Sequence, residues 1–598
     1  MKPKYQFLRE PFGPLRIVVE SFIVFIFTYA FYRQFAAFDF DPHHDGIMFK
    51  SAIDVAHGLN LFSQTFTQYG PATTYIHAAF ISLLGDHLLS IKIATTFMYA
   101  VAAGSFYMVY RSILPASIAI LAFATWLLSA YFLTDSPMLP WSSVVALGFQ
   151  GLGALLLNAS IRPSVNAKLQ MIMLVFSGIA TSMVFWSRQP IGVLSIVGVS
   201  VLLIVLRLRM KSFISNAMIA SYGAGLVLGI GWFVSIMLAQ HSLQQWYQQN
   251  VLWPRYWLGI MTVNTGKSVH AKMLYGIEHL TGPFQWQNIL VTISPVIFMI
   301  LLKILSLRDS KSVLPKALAT ACYVGFIIVL GYHNYSSSVF GSIMYIFPVC
   351  SAIFLAYYFI LVIRIGSVSP TIIPVMTLGM MALASWSQYY PLSDTRHAFW
   401  GVTPSIPVFF IATYFATGKS QLKTFLLLFI VLARPIYFTS KGAFATLQRD
   451  YWTIETPEIL AGIKQFNDRP NVALAPSVAL DRLTKQHPNL PVINLTDDAL
   501  YGTFTHNFEK PDAFNALYMW TGFPNIFNFN LQTRADFIHT KKPIIVVDTS
   551  YGPVGGPFER VLAQEFNYVE LKISDASMPI KNNLIFMMDK SLLPEVAP

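Results

Sequence analysis

Stretches of about 17 to 25 predominantly apolar residues recur along the first 440 residues of this 598-residue chain and then stop. Each is long enough to cross about 30 Å of hydrocarbon. Inside lipid every backbone amide must be satisfied within its own segment, so these stretches dictate a polytopic α-helical membrane protein. Spans are expected near 15–36, 88–110, 115–133, 139–158, 169–186, 190–206, 214–239, 287–305, 315–331, 340–363, 370–386, 402–417 and 422–438, about thirteen in all. A chain that is 55% hydrophobic and 15% aromatic could not hide those side chains in a water-soluble core alone. Beyond about residue 440 the pattern changes. "NVALAP", "PVINL" and "KPIIVVDTS" read as short buried strands, and "NYVELKI" with "NLIFMMD" as a closing hairpin. Residues 441–598 are therefore expected to form a soluble α/β or α+β domain.

The basic residues give the orientation. With the N-terminus inside, the inner connections collect Arg9, Arg16, Arg162, Lys168, the cluster Arg207 to Lys211, Lys303 through Lys316, Lys419 and Lys423. The outer connections 134–138 and 332–338 carry no Lys or Arg, which agrees with the positive-inside rule. An odd number of spans then places the C-terminal domain outside. The net charge of +12 is thus a topology signal; the basic residues form no stripe or motif that would gather nucleic acid. Both cysteines, Cys322 and Cys350, fall within expected spans and offer neither a disulfide framework nor a thiolate metal site.

Ionisable chemistry concentrates in the first outer loop, 38–87. "FDFDPHHDG" places Asp39, Asp41, Asp45, His43 and His44 within seven residues, in a chain where 11% of residues are charged. One carboxylate would suffice to cap a helix. Three with two imidazoles suit a general base, a divalent metal, or both. The following "GIMFKSAIDVAHG" segregates Ile47, Phe49, Ala52, Ile53 and Ala56 from Lys50, Ser51, Asp54 and His57, so a short amphipathic helix at the membrane surface is expected, with Asp45 just before it and Gly58 as its stop. Gly70-Pro71 then opens a second surface helix ending near "LLGDH".

Other outer connections add cations and aromatics. "FWSRQPIG" contributes Arg188 and Gln189; the long loop 240–287 contributes aromatics with Arg255 and Lys267; "SQYYPLSDTRHAFWG" contributes Asp394, Arg396, His397 and Trp400. An Asp, Arg and His beside a Trp at the bilayer suit an anion-binding element for phosphate. "NTGKS" lacks the phosphate-loop spacing and follows no strand.

An acidic first outer loop, an amphipathic helix running to a glycine (Asp45 to Gly58), an aromatic-Gly-Pro segment (Tyr69, Gly70, Pro71), "SRQPIG" and "DTRHAFWG" together resemble the GT-C superfamily of integral-membrane glycosyltransferases. The resemblance is to the branch containing aminoarabinose transferases and protein O-mannosyltransferases, and covers roughly residues 1–440. Where that branch carries D-E or D-x-D, this chain has Gly46 after Asp45 and its second acid upstream at Asp41. The resemblance implies an inverting transfer of a sugar from a polyprenyl-phosphate donor to a glycan, lipid or protein acceptor at the outer face. It implies Asp45 or Asp41 as the base, Arg188, Arg255, Lys267, Arg396 and His397 around the donor phosphate, and Tyr69, Gln189, Asp394 and Trp400 as further substrate contacts. A divalent ion (Mn, Mg or Zn) held by His43 and His44 with Asp41 and Asp45 is left open. Competing readings are an O-antigen-type polymerase or ligase, and a transporter or scramblase of lipid-linked precursors. A transporter, though, would carry its ionisable groups near the midplane. A bacterial inner membrane is the expected location, with the active site and C-terminal domain on its periplasmic side.

Overall fold

The computed structural model describes residues 14–133, 138–162, 165–210, 213–255, 340–365, 372–389, 399, 401–469, 471–496, 498–509, 531–548, 562–571 and 584–593. Among these, six helices are long and apolar enough to cross a membrane. They are α1 (Pro14–Ala36), α4 (Leu88–Arg111), α6 (Ser142–Ser160), α7 (Ala167–Ser187), α8 (Gln189–Arg209) and α9 (Asn216–Ala239). Further apolar helices are α5 (Ala116–Leu133), α11 (Phe340–Ile365), α12 (Ile372–Trp386) and α13 (Ser405–Ala416), and the short α10 (Leu243–Tyr247) follows α9. The last helix before the sheet domain, α14, spans Gln421–Gln448. The spans expected near 287–305 and 315–331 lie outside the described residues. Large apolar side chains left exposed on α1, α8 and α9, such as Phe22, Leu194 and Trp232, suit a hydrocarbon environment that neither requires nor rewards covering them with protein.

Both segments form helices as expected, α2 over His44–Ala56 and α3 over Pro71–Leu84. Gly58 ends the first in a left-handed conformation (φ +88°), and Pro71 opens the second at a position where its missing N–H costs nothing. The helix begins at His44, two residues earlier than expected, so Asp45 lies within its first turn.

After α14 the chain forms a small antiparallel pair, β1 (Tyr451–Thr453) with β2 (Lys464–Phe466), then a mixed four-stranded sheet. Its strands β3 (Val492–Leu495), β4 (Ile544–Asp548), β5 (Tyr568–Leu571) and β6 (Leu584–Asp589) lie in the order β3-β4-β6-β5. Only β3 and β4 are parallel; β5 and β6 make the expected closing hairpin. The expectation of a strand at "NVALAP" is corrected: Leu474–Gln486 is helix α15. The short apolar run fits either structure, and the continuation "SVALDRLTKQ" supplies the helical period.

The sheet domain is not a separate body. One apolar cluster includes Phe40, Ile47 and Tyr107 from the helical part together with Ile463, Leu500 and Tyr501 from the other. Most of the polar face of α2 is accordingly covered: Lys50, Ser51 and Asp54 are buried, with Lys50 paired to Asp54 at 2.5 Å, and His57 at its end stays exposed. The short turn Ala499–Thr503 covers α2, and Gly46 is required there because a Cβ would collide with the Leu500 backbone nitrogen. The amphipathic segment is helical as expected, and the surface that covers its polar side is protein.

Candidate active site

The Asp39–Asp45 segment is held from two sides. Asp39 adopts a left-handed conformation (φ +56°), uncommon for any residue but glycine or a short polar one. Its N–H donates to the Lys464 carbonyl (2.8 Å), Asn471 Nδ2 donates to its carboxylate (2.7 Å), and Phe38 stacks on Phe466 with centroids 5.1 Å apart. From the helical side Lys92, the fifth residue of α4, donates from Nζ to the Asp39 carbonyl at 2.9 Å.

Asp41 and Asp45 face different surroundings. The Asp41 carboxylate accepts the backbone N–H groups of His43 and His44 on Oδ1 (3.0 and 2.9 Å) and pairs with His44 Nδ1 through Oδ2 (2.7 Å). Its side chain keeps 26% of its surface and that of His44 keeps 31%. Partial burial pulls the Asp41 carboxyl upward, but the bond and charge of His44 outweigh it and hold the group well below the usual carboxylate range. Asp45 has no exposed side-chain surface. Its Oδ2 takes Lys92 Nζ at 2.8 Å and the Asp41 N–H at 3.1 Å, while Oδ1 is buried without a hydrogen-bond partner. Burial pushes its carboxyl up against the opposing pull of Lys92.

His44 packs on Trp141 (5.3 Å between centroids), and Trp141 on Tyr69 (5.0 Å). The Arg188 guanidinium lies 5.0 Å from the centroid of the Tyr69 ring. An acid–imidazole pair and a guanidinium are thus joined by two buried aromatic rings, and Arg188, like Asp41 and His44, remains partly exposed. The place of Arg188 follows from local structure, because it ends α7 and caps α8 at the Gln189-Pro190 turn. Gly70 allows this approach, since a Cβ there would strike the Trp186 carbonyl.

A single turn of π-helix, Gln248–Leu252, fixes the segment leading to Tyr69. Gln249 bonds the Thr67 N–H (3.1 Å) and the Phe62 carbonyl (2.7 Å), Asn250 donates to the Thr67 carbonyl (3.1 Å), and Trp253 Nε1 donates to Gln68 Oε1 (3.2 Å). Gln68 donates on to the Tyr69 hydroxyl (2.9 Å), and Gln189 reaches Asn250 at 2.5 Å. Such π-turns recur where a helix register must be shifted to aim side chains at a site.

Of the residues expected from the sequence, Asp41, His44, Tyr69 and Arg188 come together, Gln189 supports them through Asn250, and Arg255 is exposed. Lys267, Asp394, Arg396, His397 and Trp400 lie outside the described residues. Of the four residues considered for a divalent ion, Asp45 turns to Lys92 and Asp41 bonds His44 directly. No group of three or more His, Cys, Asp or Glu among the described residues is arranged to hold an ion. Lys92, Trp141 and the Gln249–Asn250–Trp253 clamp stand in no motif of the sequence. Lys92 carried a usable signal, since a lysine within an apolar span must find a partner.

No protein-family model matches the chain, and no curated protein matches it. Among solved structures it is similar to ArnT from Cupriavidus metallidurans bound to undecaprenyl phosphate, with 11% identity and a TM-score of 0.44 over 96% of this chain and 97% of that one. It is also similar to the Archaeoglobus fulgidus oligosaccharyltransferase in complex with Zn and sulfate (13% identity, TM-score 0.45, 88% of this chain and 68% of that one). A third is the archaeal oligosaccharyltransferase AglB from Archaeoglobus fulgidus with an inhibitory peptide and a dolichol-phosphate (12% identity, TM-score 0.43, 90% and 69%).

Proposed function

We propose that this protein transfers a sugar from a polyprenyl-phosphate donor to a hydroxyl-bearing acceptor at the outer membrane face, by direct displacement with inversion. The observation that carries the reading is the continuous arrangement of Asp41 and His44, the Trp141 and Tyr69 rings, and Arg188. The acceptor oxygen attacks the anomeric carbon, and the bond from that carbon to the phosphate oxygen breaks, its electron pair leaving on the lipid phosphate. The hydroxyl proton passes to a carboxylate. Arg188 meets the charge that builds on the phosphate, in a place set before the reaction begins. The Trp141 and Tyr69 rings form an apolar wall between the acid–imidazole pair and the guanidinium.

Asp41 is the proton acceptor in this reading. A base must first reach its proton, and Asp45, though burial makes it the more proton-avid group, exposes no atom. The low proton affinity of Asp41 is adequate because the hydroxyl acidifies as its new bond to carbon forms. His44 holds the carboxylate in register.

The test is turnover of a panel of polyprenyl-phosphate sugars by purified protein in lipid nanodiscs. Asp41→Asn is expected to lower transfer by on the order of 10²–10⁴-fold without loss of folded protein. If no donor on the panel is turned over, or if Asp41→Asn keeps the parent rate, the reading fails.

A further inference from the structure

We infer that Lys92 and Asp45 are a sealed positioning pair, whose work is to hold the Asp39–His44 segment so that Asp41 faces the site, and that Asp45 takes no proton from the acceptor. This rests on the glycosyl-transfer reading above.

Geometry carries the inference. The Lys92 and Asp45 side chains keep 1% and 0% of their surface. One ammonium binds both ends of the motif, the Asp39 carbonyl at 2.9 Å and Asp45 Oδ2 at 2.8 Å. Asp45 Oδ2 passes the restraint on to the Asp41 N–H at 3.1 Å, and the Asp45 N–H returns to the Asp41 carbonyl at 2.9 Å. Asp41 is therefore caught between its own backbone bonds to Asp45 and its side-chain bonds to His44. Access to Asp45 is closed by α4 on one side and by the Ala499–Thr503 turn packed on Gly46 on the other.

A charge pair buried in a helical membrane protein is a poor source of net stability, because desolvation consumes most of the attraction. What such a pair supplies is a unique register: shifting the loop or α4 by one residue would strand a bare charge. The left-handed Asp39 needs that restraint, since its backbone conformation persists only where the surroundings impose it.

The experiment is a double-mutant cycle with Lys92→Met, Asp45→Asn and both together. Melting temperature is read, along with kcat and donor KM per folded enzyme, well below the melting range. Each single change leaves one buried charge unpaired. Both should lower the melting temperature and, in the enzyme that stays folded, reduce kcat by about 100-fold with donor KM unchanged. A purely structural pair would leave kcat per folded molecule intact, which overturns the positioning role. The double variant should recover most of the melting temperature, because no bare charge remains, and regain kcat only in part, because an amide at position 45 can still accept the Asp41 N–H while the Asp39 carbonyl has lost its ammonium. A double variant that melts near the parent temperature yet is as inactive as Asp41→Asn makes Asp45 the reacting carboxylate and sinks the inference. Should the parent itself turn over no lipid-phosphate sugar, the functional reading falls, while the cycle still decides the pair: recovery in the melting temperature supports it, and additive losses remove it.

Discussion

Helix α4 carries a buried cation near each end, and the two are used differently. At its C-terminal end Arg111, 2% exposed, pairs with Glu20 of α1 at 2.7 Å, and Tyr107 donates to the same carboxylate. Glu20 keeps 19% of its surface and also takes Arg16, so this cluster opens toward solvent. At the other end Lys92 meets an acid with no exposed surface, in contact with the C-terminal domain and the acidic motif. The Arg111 pair staples two helices where the chain turns. The Lys92 pair staples a loop whose shape has chemical consequences.

The sharpest way to break this contrast is to remove each cation in turn. Lys92→Met leaves Asp45 without its counter-ion in a sealed pocket and is expected to cost roughly 3–5 kcal/mol. Arg111→Met should cost less, since Glu20 can turn to water, and should leave the transfer rate of folded enzyme alone. Thermal melts with transfer assays on both variants check this, and equal effects at both ends would end the distinction. Next in size is Arg188→Ala. Losing a charge-assisted contact to phosphate is worth about 1.5–3 kcal/mol, so donor KM should rise by roughly 10- to 100-fold with the melting temperature nearly unchanged. A steady-state titration of donor reads it. The smallest effect concerns His77 of α3, fully buried, whose Nε2 lies 3.2 Å from Thr95 Oγ1, one turn along α4 from Lys92. Burial drives its pKa down from 6.5 to about 3. Because the folded state resists protonation, its contribution is intact above pH 6.5 and is lost progressively as pH falls toward about 3. His77→Gln should flatten that part of the acid melting profile, and a curve identical to the parent would show that His77 does not govern it.

Much of the helical part was legible because lipid imposes a length and a composition on every span. The start of α3 at Pro71 and the stop of α2 at Gly58 were legible because proline and glycine restrict the backbone locally. The site was legible only in its local pieces. "DPHHD" announced a dense group of acids and imidazoles, but nothing within it says that Asp41 turns to His44 while Asp45 turns inward. That choice is made by Lys92, whose partner is distant in sequence. Trp141 was read as one more apolar residue of a span, and its role as the ring between His44 and Tyr69 arises only when three separate elements meet. The polar face of α2 was legible as polar, while its cover comes from the far end of the chain.

The grip of Lys464 and Asn471 on Asp39 has a consequence for biogenesis. A ribosome delivers the acidic loop to the membrane early, yet two of its anchors are translated only after the last long helix has been inserted. The loop can take its final shape only once those anchors exist, so a chain cut short of Lys464 would lack both of them.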